Sequence, residues 1–459
     1  MKLFRKIPHT YSILFCLIII AAFLTWIVPA GQYETVEVDG RMVVDPGGFS
    51  YVESNPQGPT DILKSIPQGA DEIAWIIIFI IFIGASIYVI QSTGAIDAGM
   101  KRLVKKLKGR EYIVIIVAML ICALGGATYG AAEENIALML IFVPLALSLG
   151  YDSITGAALG LVGMGVGFAT ALFNPFTVGV AQGIAGIPLF SGALLRFFFF
   201  IVQVVIAIVF VVKYANKVKK NPKASPMYEI DQKRKLNLNM NEEFTTRHKL
   251  ALATLIITFI LLPIGMAKLG WWINELVGLF LGMAIIGGLL GGLSLNEVFE
   301  NFVEGAKQMT YAAVIVAFAR GILVILRDGA ILDTIIMGLS VPLQSMPSHL
   351  TAVGMMFIQT FVNLFIPSGS GQAAVTMPIL APLSDLVGIT RQTAVLAYQI
   401  GDGFSNIFWP TSGYFIGALG VAGIPWDKWA KWILPLMGLF YIVNVIFMMI
   451  AVSIGYGPF

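Results

Sequence analysis

The residues with the most chemistry in this 459-residue chain are charges standing in apolar surroundings. Glu133 and Glu134 end the stretch Gly125-Gly126-Ala127-Thr128-Tyr129-Gly130-Ala131-Ala132-Glu133-Glu134, which interrupts an apolar run over 112–149. Asp402 lies in Gly401-Asp402-Gly403, and Arg320 in Val316-Ala317-Phe318-Ala319-Arg320-Gly321. An ionised side chain at the centre of a bilayer costs ~2.5–3.5 kcal/mol or more, so it usually has a purpose or a partner. The three acids suit a bound cation, a proton or a substrate amine. Plainer roles compete with these. The glutamate pair can stabilise the N-terminus of a following helix. Asp402 can sit in a salt bridge, with Arg320 as its partner. Arg320 can bind a substrate carboxylate, and pairing with a buried acid is at least as good an account of it.

Uncharged polar residues gather at further interruptions. Pro367-Ser368-Gly369-Ser370-Gly371-Gln372 breaks an apolar run over 349–387. Phe173-Asn174-Pro175-Phe176-Thr177 and Asn406-Ile407-Phe408-Trp409-Pro410-Thr411-Ser412-Gly413 break two later runs. Proline removes a donor and frees backbone carbonyls. Freed carbonyls, hydroxyls and amides can coordinate a small cation, and half-helix N-termini can meet an anionic group. A packing kink is the plain alternative for each proline. The candidate binding set is Thr128, Tyr129, Glu133, Glu134, Asn174, Thr177, Ser368, Gly369, Ser370, Gln372, Asp402, Asn406, Thr411 and Ser412. Glu134, Asp402 and Arg320 are candidates for coupling or ion pairing. No metal or organic cofactor is expected, and a coupling ion would be H+ or Na+. His9, His248 and His349 are scattered without ligand spacing, and Cys16 and Cys122 sit in apolar runs.

Elements that could hold these residues follow from composition. Apolar residues make up 58% of the chain and charged residues 12%, against roughly 25% charged in a soluble domain. A net charge of only +3 argues against a nucleic-acid partner. Apolar spans of bilayer length fall near 11–30, 73–92, 153–186, 190–214, 248–268, 272–293, 310–326, 391–422 and 432–455. The runs 112–149 and 349–387 have arms too short to cross comfortably. Irregular backbone at membrane depth survives only where protein or a wet cavity satisfies it. Both runs therefore read as re-entrant hairpins, with ordinary helices and an external loop as the rival. The expected fold is all-α and polytopic, with about nine spans and two re-entrant hairpins.

Lys101, Arg102, Lys105, Lys106, Lys108 and Arg110 mark one cytoplasmic loop, and the lysine-rich 213–249 another. Glu34, Glu37, Asp39, Asp45 and Glu53 place 31–72 outside. Lys2, Arg5 and Lys6 precede the first span, which reads as a retained anchor with a cytoplasmic N-terminus, although Val28-Pro29-Ala30 loosely resembles a cleavage site. The C-terminus is expected outside. Trp271-Trp272 and Trp426, Trp429 and Trp432 fall at span ends, as an interfacial belt would.

The two halves match at a nearly constant offset. Pro67-Gln68-Gly69-Ala70 faces Val303-Glu304-Gly305-Ala306, and Ile87-Tyr88-Val89-Ile90 faces Ile322-Leu323-Val324-Ile325. Pro144 and Gly150 match Pro382 and Gly388. Gly183-Ile184-Ala185-Gly186-Ile187-Pro188 matches Gly420-Val421-Ala422-Gly423-Ile424-Pro425. Each half reads as two spans, a hairpin and two spans. The extra span at 248–268 starts the second half from the opposite side, so the repeats are inverted, as in transporters that alternate access around a midplane site. The expected divisions are a first repeat over 1–214 with its hairpin at 112–149, a loop and connecting span over 215–268, and an inverted second repeat over 269–459 with its hairpin at 349–387.

At Tyr129-Gly130-Ala131-Ala132-Glu133-Glu134, Asn174-Pro175-Phe176-Thr177, Pro367-Ser368-Gly369-Ser370-Gly371-Gln372-Ala373 and Gly401-Asp402-Gly403 the chain resembles the anaerobic C4-dicarboxylate carrier-type family of the ion transporter superfamily. It looks closest to that family's basic amino acid antiporter branch, over nearly its whole length. The resemblance implies an elevator mechanism in the bacterial inner membrane. A homodimeric scaffold would stay fixed while a domain carrying both hairpins slides. Sodium-coupled members of the wider superfamily carry Ser-Asn-Thr motifs at their hairpin tips, and this chain lacks them in that form.

Two cargoes follow. One is a small, basic amino acid such as arginine or ornithine, its amine on the acidic hairpin and its carboxylate on the second tip. The other is a C4-dicarboxylate or related organic anion, with Glu133 and Glu134 serving structure or proton coupling. No GxxxxGK[ST] run supports a pump, and no HExxH, GxSxG or histidine cluster supports an enzyme. A channel is the remaining class.

Overall fold

The computed structural model describes residues 10–38, 41–106, 109–128, 130–234, 244–271 and 273–457. Tyr129, Trp272, Lys108, Asp39 and the basic N-terminal residues Lys2, Arg5 and Lys6, which carried expectations above, lie outside them.

The chain opens with α1 (Thr10–Leu24), a β-hairpin of β1 (Gly31–Val38) and β2 (Arg41–Tyr51), and α2 (Pro59–Glu72). Then come α3 (Ala74–Ser92), α4 (Ala95–Lys106), α5 (Tyr112–Thr128), α6 (Glu134–Ser148), α7 (Ser153–Ala169), a π turn (Pro175–Gly179), α8 (Val180–Ala185) and α9 (Ala193–Lys220). A short α10 (Tyr228–Asp231) precedes α11 (Thr246–Leu269), α12 (Ile273–Gly291), α13 (Leu295–Asp328) and α14 (Leu332–Ser340). The chain closes with α15 (Ser348–Asn363), α16 (Gly369–Leu386), α17 (Arg391–Ser405), α18 (Gly413–Ala422) and α19 (Trp426–Ser453).

The all-α expectation needs one correction. Gly31–Val38 and Arg41–Tyr51 pair as an antiparallel ribbon, Gly31 opposite Tyr51 and Val38 opposite Arg41. This segment is polar and carries β-branched and aromatic residues, so its backbone bonds itself rather than a helix. Tyr33 N–H donates to Asp333 Oδ2 at 3.0 Å, which ties the ribbon to α14. The first span also proves shorter than expected, since α1 ends at Leu24. Conversely, α13 begins well before residue 310. Ser294 caps it by accepting from Glu297 N–H, while the Glu297 carboxylate accepts from Ser294 N–H.

Five helices among the described residues are long and apolar enough to cross a membrane: α3, α9, α12, α13 and α19. The chain is thus a multi-pass membrane protein. Lipid gives no hydrophobic drive to helix association, so close packing of small residues must supply it. The contact of α5 with α7 shows this: a Cβ on Gly167 would lie 1.9 Å from the Ala123 carbonyl oxygen.

The expected interruptions are all real, with shifted edges. α5 continues through Thr128 and α6 begins at Glu134, so Gly125 to Thr128 are helical and lie outside the first break. The second spans 364–368, and Gly369 to Gln372 already form the first turn of α16. Breaks also separate α7 from α8 and α17 from α18.

The tryptophans at the start of α19 are not an exposed belt. Trp429 is fully buried and Trp432 nearly so. Trp429 Nε1 donates to Ile407 O at 2.9 Å and Trp426 Nε1 to Phe408 O at 2.8 Å. Two of the carbonyls freed at that break are therefore claimed by indoles.

Candidate functional site

The breaks converge. A cavity of about 230 Å³ is walled by α2–α3 (Ile73, Trp75, Ile76), by α13 (Val316, Ala319, Arg320, Leu323), and by the breaks before α6, α16 and α18. Among the described residues, three helices that follow a break begin at its edge. Glu133 is the N-cap of α6, Ser368 the N-cap of α16, and Gly413 the first residue of α18. Unpaired N–H groups and the positive end of the helix dipole make such termini anion-binding surfaces.

Gly130 shapes the first break. Its φ of +81° is a left-handed value, and a Cβ there would lie 2.6 Å from Asn174 Oδ1. Glycine allows the chain to turn there while touching the break after α7. Asn174 Oδ1 accepts from Phe176 N–H at 2.9 Å and holds the π turn.

The expected site residues separate into groups. Glu133, Ser368, Gly369, Ser370, Asn406 and Thr411 line the cavity. Asn174, Thr177, Asp402 and Ser412 are fully buried and do not line it. Gln372 points elsewhere: its Nε2 donates to Gln359 Oε1 at 2.7 Å and Gln359 O at 2.9 Å on α15.

The two glutamates part company. Adjacent helical residues point about 100° apart, so the pair cannot share one face. Glu133 faces the central cavity. Glu134 and Thr128 line a separate apolar cavity of about 750 Å³ against Phe259 and Leu262 of α11. Glu134 Oε2 accepts from Ala132 N–H at 2.9 Å, the helix-terminus role weighed above. Thr128 Oγ1 bonds back to Leu124 O at 2.6 Å. Glu133 has no ion-pair partner among the described residues.

Arg320 does not pair with Asp402. Its Nε donates to Glu72 Oε2 at 2.7 Å, and Arg327 Nη1 takes the other oxygen of Glu72. Glu72 ends α2, a helix too polar to read as a span, so it falls outside every apolar run. The Nη groups of Arg320 make no hydrogen bond among the described residues, and the side chain lines the cavity.

Asp402 is held by amides instead. Asn363 Nδ2 donates to Asp402 Oδ1 at 2.8 Å and to Asp402 O at 2.9 Å, and Asn406 Nδ2 reaches Oδ1 at 3.3 Å. Asn363 was missed by sequence reasoning. Its signal was an amide at the last position of α15, four residues after Gln359 in a largely apolar run.

Known proteins resemble this chain in sequence over nearly its full length. The model of the C4-dicarboxylate anaerobic carrier family, DcuC, matches residues 7–453. The Escherichia coli K12 protein described as "Putative basic amino acid antiporter YfcC" is 34% identical, over 98% of this chain and 97% of its own length. An uncharacterized Haemophilus influenzae protein is 32% identical over 97% of each chain. MtrF of Neisseria gonorrhoeae, described as one of a class of antimetabolite efflux pumps, aligns at 18% identity and a TM-score of 0.45 over 98% of this chain and 96% of its own. YdaH of Alcanivorax borkumensis aligns at 16% identity and 0.43 over 98% of this chain and 99% of its own. The family is one of membrane carriers rather than enzymes. The chain belongs to the DcuC family of C4-dicarboxylate anaerobic carriers.

Proposed function

We propose that the protein is a secondary transporter of a small, basic amino acid of the arginine or ornithine type. It would work by exchange or ion coupling across the bacterial inner membrane. The observation that carries this reading is one cavity lined by both Glu133 and Arg320. Arg320 has its charge shared with Glu72 and keeps its Nη groups free for a carboxylate. Glu133 has no ion-pair partner among the described residues, and an unpaired carboxylate on the wall of an intramembrane cavity calls for a positive charge. A substrate amine supplies it. The N-termini of α16 and α18 add donors for the carboxylate end. The description of the Escherichia coli relative agrees.

A second reading has its own support. Three helix N-termini and an arginine also suit a C4-dicarboxylate, with Glu133 protonated, and the family description names that cargo.

The proposed architecture is two inverted repeats, over 1–214 and 269–459, joined by 215–268. The order α5-break-α6-α7-break-α8-α9 recurs as α15-break-α16-α17-break-α18-α19, which supports it. In this reading both hairpins are re-entrant, the N-terminus is cytoplasmic, the C-terminus is external, and two copies form the scaffold. The cavity lies between α3 and α13 on one side and the broken elements on the other. An elevator needs its substrate at such a seam between fixed and moving parts.

Counterflow in proteoliposomes tests the cargo. Vesicles preloaded with arginine, ornithine, succinate or fumarate should accumulate labelled basic amino acid against the first two only. Accumulation with the dicarboxylates alone would replace the first reading with the second.

A further inference from the structure

Behind the cavity lies a set of buried oxygens that substrate recognition does not use. Asp402 is fully buried. Both amides that reach its side chain donate to Oδ1, while Oδ2 has no hydrogen-bond partner. No lysine, arginine or histidine among the described residues pairs with it. Three other oxygens on three separate elements are also buried without partners: Thr177 Oγ1 on the π turn, Asn363 Oδ1 on α15 and Asn406 Oδ1 after α17.

The geometry brings these elements to one place. A Cβ built on Gly369, the first residue of α16, would lie 2.6 Å from Thr177 Cγ2 and 3.4 Å from Asp402 Oδ2. Glycine is what lets the hairpin tip, the carboxylate and the threonine approach one another. Asn363 and Asn406 are fixed to the same carboxylate by their Nδ2 groups. Tyr398 Oη donates to Gly369 O at 2.6 Å and pins the tip over α17.

A buried carboxylate without a cation must be neutralised. A proton would satisfy one oxygen and leave the others stranded. An alkali cation takes several hard oxygen ligands together, and oxygen is the donor type on every side chain here. A single carboxylate is too little charge for a divalent ion, which draws on several carboxylates or on phosphates. We propose that Asp402, with Thr177 and the amide oxygens of Asn363 and Asn406, forms a binding site for a dehydrated alkali cation of the sodium class. Ser-Asn-Thr tip motifs are not needed for it, because the ligands come from the broken helices.

Its place explains how an ion would act on cargo. Gly369 and Asn406 belong to the cavity wall, and Thr177 and Asp402 stand behind them. A cation would clamp the tip of α16 to the π turn and to α17, setting the N-terminus of α16 for the substrate carboxylate. This second step rests on the cavity being the substrate site. Cation binding itself does not.

Thermal unfolding of the purified full chain in detergent, in choline chloride without substrate, tests the site. Titrated NaCl should raise the melting temperature saturably, beyond choline at equal ionic strength. Thr177→Val, nearly isosteric, and Asp402→Asn should each raise the midpoint sodium concentration at least ~tenfold. Glu133→Gln should leave it unchanged, which separates failure of this site from failure of the cargo assignment. An unchanged wild-type melting temperature in NaCl, KCl and LiCl, with stability following pH alone, would show that a proton does the neutralising. An undiminished sodium response in both Thr177→Val and Asp402→Asn would place the ion elsewhere. Either result overturns the proposal.

Discussion

Glu133 and Glu134 differ by one position and by everything around them. A neighbouring pair at a helix start reads as one acidic feature in sequence, whereas the helical turn sends one into the cavity and leaves the other bonded to Ala132 N–H. Glu133→Gln should therefore reduce basic amino acid exchange by about tenfold to a hundredfold, a loss of ~1.4–3 kcal/mol of interaction. Glu134→Gln keeps an acceptor for Ala132 and should leave selectivity intact. Glu134→Ala leaves the buried Ala132 N–H without its acceptor and should cost ~1–3 kcal/mol of stability, read as a lowered melting temperature. Arg320 allows a chemical test of the other end. Arg320→Gln should lower arginine binding strongly and hardly alter binding of agmatine, its decarboxylated analogue. Equal losses for both would remove the carboxylate role. That Arg320 pairs with Glu72 was not legible, because the partner lies 248 positions away in a polar helix outside every apolar run.

Helix breaks were the most legible features of the chain. Glycine, proline, serine and asparagine are costly inside apolar helical runs, so their clusters mark interruptions, and all four interruptions occur. Their edges were not legible, since α5 runs on through Gly125 and Gly126 and α16 starts within Ser368-Gly369-Ser370. Cap geometry and packing decide such edges, and both depend on contacts distant in sequence. The same holds for Trp426 and Trp429: tryptophan at a span end suggests an interface, but here both indoles satisfy carbonyls of the break before α18. The β1–β2 ribbon was missed because a short polar ribbon has no membrane signature. Contact between breaks can be tested directly. Gly130→Ala forces a left-handed φ on a residue with a Cβ and drives that Cβ against Asn174. It should cost at least ~1–3 kcal/mol and abolish exchange, with protein still inserted in the membrane. Full activity in that variant would mean that the two breaks do not touch in the working state.

At the scale of the molecule, the cavity lies between two kinds of structure: long unbroken α3 and α13, and a set of interrupted helices facing them. The membrane class, the carrier family and the pairing of breaks could be read from composition and motifs, because intramembrane polarity is rare and costly. The seam could not, since it joins Ile73 and Arg320 to residues at the breaks before α6 and α16. If the interrupted helices move as a body past α3 and α13, cysteines at Ala319 and Ser368, which line one cavity, should cross-link in a cysteine-free background and stop exchange until reduced. Exchange that persists in the fully cross-linked protein would rule out sliding. The central claim is that this cavity reads an amine and a carboxylate together. Calorimetric titration of the wild-type protein, Glu133→Gln and Arg320→Gln with arginine, agmatine and succinate tests it most directly. Arginine should bind the wild type most tightly, Glu133→Gln should weaken arginine and agmatine alike, and Arg320→Gln should weaken arginine alone. Tight succinate binding to the wild type, unchanged or strengthened in Glu133→Gln and lost in Arg320→Gln, would contradict the claim and identify the cavity as a dicarboxylate site.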